Sequence, residues 1–337
     1  MSALRCPAAG RRTCVPLLAA GVFCLLAALL GAAPHADAPR KKVLIFTKSS
    51  GFQHPIIKRY QEGLSEGEKI MAEIVTAAGM EPVCSKDGSL INARNLQDYA
   101  AVVFYTSGDL CQVAKQAPDG KADVGPVVTP EGKAEMLELI KGGKLGFVGI
   151  HSASDTWHTV DPALSGKDAR YAVMGEKLDP YLRMLGAEFI AHDKHQAGTF
   201  EVVDPAFPGM AYAGTTVRRE KDEWYSLKEF APDMHVLMVM QTEGMEGPHY
   251  QRGPYPLSWI RRHGEGRVFY TGLGHGRESW DDAAFRSLIG GGIRWAAGLV
   301  DADASPNLER VAPRHAEIPA PPVKEKAPQK PAAVPAV

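Results

Sequence analysis

The stretch that decides the fold is Lys144-Leu145-Gly146-Phe147-Val148-Gly149-Ile150-His151-Ser152-Ala153. Gly142-Gly143 precedes it, and small and polar residues close it. A short apolar run with no in–out alternation reads as a strand buried on both faces, the kind found in parallel sheets covered by helices. Its end, Gly149-Ile150-His151-Ser152-Ala153, has the shape of a strand-to-helix elbow, where small neighbours let the central side chain stand at the strand's carboxyl end. That central residue is His, neither Ser nor Cys. Imidazole serves as acid, base or metal ligand near neutral pH and rarely as a covalent nucleophile. The plain structural alternative has His151 bonding buried backbone and Asp155 capping the next helix. The strand-end position tips the balance towards function.

Working outward, apolar runs alternate with helical stretches. Residues 41–49 read as the first strand, and residues 57–78 as a helix with Tyr60, Leu64, Ile70, Met71, Ile74 and Val75 at helical spacing and Gly79 as its stop. Residues 81–87 and 100–108 are further strands. Thr129-Pro130-Glu131 starts a helix, with a capping hydroxyl, a first-turn proline and an acid facing the positive helix end. Downstream, residues 171–185 read as a helix and residues 199–204 and 235–242 as strands. Residues 256–263 and 266–273 pair across the turn His263-Gly264-Glu265-Gly266, and residues 281–297 close the domain as a helix. This pattern predicts an α/β fold: a doubly wound, mostly parallel sheet in three layers. In such sheets ligands sit outside the carboxyl ends of the strands. Polar residues gather at those ends at 49–54, 107–109, 151–155 and 272–275.

The two ends of the chain read differently. Arg5, Arg11 and Arg12 precede an uncharged apolar run at 15–33, and Ala36-Asp37-Ala38 offers a cleavage site. Residues 1–38 are therefore expected to be a signal peptide or an uncleaved N-terminal anchor. Either places the domain, residues 39–300, in the periplasm or outside the cell, with membrane contact only through residues 15–33. Residues 301–337 are rich in Pro, Ala and Lys and are expected to be a disordered tail. A formal net charge of −1 with no basic stripe argues against nucleic acid as a partner. Cys6, Cys14 and Cys24 fall in the targeting segment. Cys84 and Cys111 remain, either paired in an oxidising compartment or isolated.

Several motifs resemble the ThuA-like (trehalose utilisation) family: FTKSSGFQHPII at 46–57, GGKLGFVGIHSASDTWH at 142–158, DEWYSL at 222–227, and FYTGLGHGRESW at 269–280 with GGIRWAAG at 291–298. The resemblance implies a flavodoxin-like, class I glutamine amidotransferase-like fold. It also implies a role in handling sugars or glycosides, related to trehalose or keto-sugars, without the amidotransferase Cys-His-Glu triad. No Cys stands at the elbow here. The family's HPIAW is Tyr255-Pro256-Leu257-Ser258-Trp259 in this chain, and an insert at 161–170 follows Trp157-His158.

The candidate catalytic set is His151 as general acid or base, assisted by Asp155, Glu223 and His275. Candidate substrate contacts are His54, Asp109, Asp222, Trp224, Tyr225, His192 and Gln196. Asp222-Glu223-Trp224-Tyr225 sets two acids beside two aromatics, suited to sugar hydroxyls and sugar faces, or else forms a strand with a packed Trp. His192 and Gln196 resemble the family's H-P-x-x-Q stretch and either reach the site or cap a turn, whereas His195 reads as a turn residue. Histidines and a carboxylate from separate loops would suit zinc or a similar divalent ion. No short ligand spacing supports one, so the site is expected to work without metal. The partner that the resemblance implies is a small carbohydrate. The protein is expected to be an isomerase, lyase or hydrolase, with a non-catalytic carbohydrate-binding module and an inert structural member of the fold as the alternatives. His54, His151, Glu223 and His275 are expected to line one cleft.

Overall fold

The computed structural model describes residues 41–60, 62–113 and 125–322. In chain order the elements are β1 (Lys42–Phe46), α1 (Glu66–Ala77), β2 (Glu81–Ser85), α2 (Ala93–Leu96), β3 (Tyr99–Phe104), α3 (Pro130–Lys141), β4 (Gly146–Ile150), α4 (Gly166–Ala169), α5 (Pro180–Leu185), β5 (Glu188–Ala191), β6 (Gln196–Val202), β7 (Thr216–Asp222), β8 (Ser226–Lys228), β9 (His235–Gln241), β10 (Tyr255–His263), β11 (Gly266–Thr271), α6 (Arg277–Asp281), α7 (Ala283–Ala296) and α8 (Leu308–Val311).

Among the described residues a nine-stranded sheet runs in the order β2-β1-β3-β4-β11-β10-β9-β6-β7. From β2 to β11 every pairing is parallel. From β11 onward the pairings are antiparallel, so β9 and β7 point the same way as the parallel strands and only β10 and β6 are reversed. β5 and β8 form a small separate antiparallel pair. α1 packs beside α7 on one face of the sheet, and α3 packs beside α2 and α5 on the other. The parallel strands are apolar throughout because both of their faces are covered: β4 is buried at every position. β7 is the charged edge strand, with Arg218, Arg219, Glu220 and Lys221 along it, which discourages pairing with another sheet.

The expected helix over 57–78 begins only at Glu66. Gly63 takes a left-handed φ of 109°, and Ser65 caps the helix in a reciprocal box with Glu68. Of residues 171–185, the first part holds only a short 3-10 helix at Gly175–Lys177, and α5 is helical from Pro180, where Asp179 caps it. The start at Thr129 is as read: its hydroxyl accepts from the Gly132 backbone and Pro130 sits in the first turn. The tail needs a larger correction. Residues 301–322 pack on the domain: Asn307 bonds both backbone groups of Val236, and Leu308 and Ala312 are buried. A proline-rich chain can order when its few apolar side chains meet an existing groove. Residues 1–38 and 323–337 lie outside the described residues. Cys84 and Cys111 are both free thiols. Among the described residues no helix is long and apolar enough to cross a membrane.

Candidate metal centre

The carboxyl ends of β1, β3, β4 and β11 meet at one place. β4 ends at Ile150, and His151 turns the chain with a φ of +46°. That left-handed conformation costs a residue with a Cβ about 1–2 kcal/mol. Its surroundings hold it there: the His151 carbonyl accepts from Tyr270 Oη at 2.8 Å and from Ser154 Oγ at 3.2 Å. Its Nδ1 lies 2.8 Å from the carbonyl oxygen of Gly272. A carbonyl only accepts, so Nδ1 carries a proton, and in that tautomer Nε2 presents its lone pair. That lone pair faces Glu223 Oε2 at 3.2 Å. Two lone pairs do not attract, so the contact calls for a second proton or a cation between them.

His54 arrives on the loop after β1, which is clamped to the loop after β3. The backbone N–H groups of Ser50 and Gly51 both donate to Ser107 O, and a Cβ on Gly108 would stand 2.3 Å from Gly51 N. His54 is 1 % exposed, yet neither ring nitrogen has a hydrogen-bond partner. Its Nε2 stands 3.6 Å from Glu223 Oε2. Burial outweighs its carboxylate neighbour and takes its pKa down to about 4, so the ring is neutral at ordinary pH. His275, on the loop after β11, places Nδ1 3.0 Å from the same oxygen, again without a hydrogen bond. The three imidazoles meet edge to face, with ring centres 4.9–5.3 Å apart.

Glu223 comes from the other half of the sheet, on the link between β7 and β8. Burial alone would favour its neutral form, but the contacts from His151, His275 and His54 win and hold its carboxyl far below the usual range. Its second oxygen, Oε1, lies 3.3 Å from His192 Nε2 and 3.2 Å from His195 Nε2. One nitrogen each from His54, His151 and His275 and one Glu223 oxygen all fall within 4.8 Å of one another. Tetrahedral ligands at 2.0–2.1 Å from a zinc-like ion would be separated by about 3.3 Å. The three contacts to Oε2, at 3.0, 3.2 and 3.6 Å, bracket that spacing. Three imidazoles and one carboxylate suit zinc or a related first-row ion. The His151 bond to Gly272 O is the outer contact such ligands need to fix their tautomer. The four side chains form a buried knot rather than an open cleft wall, and the accessible side is that of His192 and His195, each 39 % exposed.

The other sequence candidates divide. Tyr225 belongs here, its ring 4.1 Å from that of His151. Asp155 does not join the four ligand residues: its carboxylate contacts His158 and Arg170. His158 in turn reaches Glu188, which pairs with the buried Lys228. Burial opposes charge on His158, but the two carboxylates prevail and raise its pKa, so this network ties the elbow to β5 and β8. Asp109 is exposed and bonds only its own loop, at Cys111 N and Gln112. Asp222 turns away to Ser279. Trp224 is a core residue whose indole donates to Gln196 O. Gln196 itself bonds the Glu246 backbone in both directions. His195 was read as a turn residue but lies against Glu223 and His275. Its only sequence signal was a second His three positions after His192.

The family model for trehalose utilisation, ThuA, matches residues 42–296. Among solved structures, a ThuA-like protein from Parabacteroides merdae is 17% identical, with a TM-score of 0.50 over 85% of this chain and 98% of that one. Another from Bacteroides uniformis is 18% identical, with a TM-score of 0.47 over 79% and 94% respectively. At 17% identity the likeness to the first of these speaks for the fold alone. No curated relative matches the sequence. With the family model spanning almost the whole described domain, the chain belongs to the ThuA, or trehalose-utilisation, family.

Proposed function

We propose that this is an exported protein that acts on sugars or glycosides at a site holding one divalent metal ion between His54, His151, Glu223 and His275. The observation that carries the reading is the set of buried donor atoms without hydrogen-bond partners, the His54 nitrogens and His275 Nδ1, gathered about one carboxylate oxygen. Unpartnered buried polar atoms are rare and call for a partner. The family's description supports sugar as the substrate class. A bound divalent ion supplies Lewis acidity, polarising a sugar oxygen or making a water acidic.

The chain's own residues do the rest. Gly272 O holds the His151 tautomer, and Tyr225 backs the ring. Glu223 stays an anion and spans the site, with Oε2 turned inward and Oε1 turned to His192 and His195. Those two half-exposed imidazoles stand where a sugar arrives from solvent and can pass a proton at Nε2 to or from its oxygen. Isomerisation, elimination and hydrolysis all use such a pair of roles.

Metal analysis of the full-length protein tests the site directly. About one equivalent of divalent metal per chain is expected, lost in His151→Ala and His54→Ala together with turnover of trehalose or keto-glycosides. A wild-type protein that takes up no zinc, manganese or iron would sink the reading. N-terminal sequencing of the protein from fractionated cells tests export, with a mature start just after Ala38 expected.

A further inference from the structure

Beyond His192 a cavity of about 500 Å³ opens between the α4 region, β5, the turn Pro248–Tyr250 and the end of the described chain. Tyr171, Phe189, His192, His249, Arg170 and Pro321 line it. Its volume falls within the ~300–1,000 Å³ of small-molecule sites. His192 belongs to both places: one wall of this cavity is also a neighbour of Glu223.

The polar floor of the cavity is organised by one carboxylate outside the metal cluster. Tyr171 Oη lies 2.9 Å from His249 Nε2. His249 Nδ1 lies 2.9 Å from Asp193 Oδ1, off the line of a hydrogen bond, and the His249 backbone N–H donates to Asp193 Oδ2 at 3.0 Å. Asp193 is itself fixed: its backbone N–H donates to Tyr250 Oη, which donates on to Trp224 O. A Cβ on Gly247 would run into the carboxylate at 2.2 Å. The negative charge beside Nδ1 favours the imidazole proton there, and in that tautomer Nε2 accepts the phenol proton. Tyr171 Oη is thereby left to face the cavity as an acceptor. Partial burial raises its pKa, which keeps the phenol neutral.

The walls are flat and apolar. Tyr171 stacks with His249 and Phe189 stacks with His192, at interplanar angles of 25° and 27°. Arg170 lies over the Phe189 ring. The last wall comes from far along the chain. Arg252 donates to His315 O at 2.8 Å, and Gly253 N–H donates to Glu317 Oε2 at 2.7 Å. These bonds lead the C-terminal segment to Pro321. Flat faces suit the C–H faces of a pyranose, and a neutral acceptor suits one of its hydroxyls. Lys167 and Asp168 at the rim offset each other and Arg170 is paired with Asp155, which favours an uncharged sugar.

We infer that this cavity is the subsite for a neutral sugar ring of the substrate, remote from the reacting atoms, with Tyr171 as a positioning residue set by His249 and Asp193 and with the C-terminal segment as its outer wall. The inference rests on the sugar reading proposed above. The test uses full-length, metal-loaded protein, with trehalose and glucose as probes. Crystals soaked in either sugar are expected to show a pyranose in the cavity beside Tyr171 and His192. In calorimetry Tyr171→Phe, which removes one oxygen and keeps the ring, weakens binding about tenfold while metal content and melting temperature stay unchanged. Pro321→Trp, at an exposed position, blocks binding by filling the cavity. A sugar seated elsewhere, wild-type affinity in both variants, or no binding of either sugar at about 100 mM overturns the inference. A protein that binds sugar here but takes up no metal overturns the metal reading and leaves the subsite standing.

Discussion

His54 is buried, neutral and unbonded at both nitrogens, a state that costs a folded protein about 1–3 kcal/mol per orphaned group. Replacing it by a ring without nitrogens separates the two things it does. His54→Phe is expected to leave the metal-free protein as stable as wild type or more so, and to lower zinc affinity at least tenfold, read by melts with and without zinc. Gly108 is the opposite kind of residue, valued for what it lacks. At φ +75° and against Gly51, Gly108→Ala is expected to cost more than about 2 kcal/mol in denaturant unfolding and to displace His54. His54, His151 and His275 were legible because each follows an apolar strand, and Glu223 because it lies in a family motif. His195, Tyr171, His249 and Asp193 were not. They come together through β5, β6 and the turn before β10, and no local spacing records that meeting.

At the scale of elements, α1 shows how much one capping residue can carry. Glu68 is fully buried, closes the box with Ser65, and takes bonds from Arg59 and Thr47. Burial would raise its pKa, but these bonds outweigh it and lower it below the ordinary 4.5. A depressed carboxyl stabilises the fold above its unfolded pKa and loses that contribution as pH falls through the folded value. Acid titration of stability should therefore show a loss below about pH 4.5 that Glu68→Gln lacks, the variant starting about 1–3 kcal/mol lower at pH 7. The long parallel strands were readable as uninterrupted apolar runs. β7 was not, because an edge strand rich in Arg, Lys and Glu carries no hydrophobic signal. The stretch after α8 looked like a free tail because its anchors are a backbone carbonyl and a single carboxylate. Glu317→Ala should raise amide exchange over residues 313–322 and leave the rest of the domain unchanged.

For the whole molecule, the decisive fact is that the two halves of the sheet contribute unequally to one site. The parallel half supplies three histidines, and the antiparallel half supplies Glu223. An ion held by both sides fastens them together. Zinc at a free concentration a hundredfold above its Kd is expected to stabilise the fold by about 2.7 kcal/mol, reversed by a chelator, and to do neither in Glu223→Ala. The α/β class was legible from alternation of strand and helix. The way the sheet extends beyond β11 was not, since hairpin signals do not say on which edge the next strands will lie.

The ligand residues are spread from 54 to 275 along the chain. No chain that stops short of His275 therefore contains the complete set, and that last residue follows β11, close to the end of the domain. An ion bound by all four would be taken up only once folding is nearly finished. On the proposed metal reading, the choice of ion is set less by the ligands, which suit several first-row ions, than by the supply in whichever compartment the chain completes its fold.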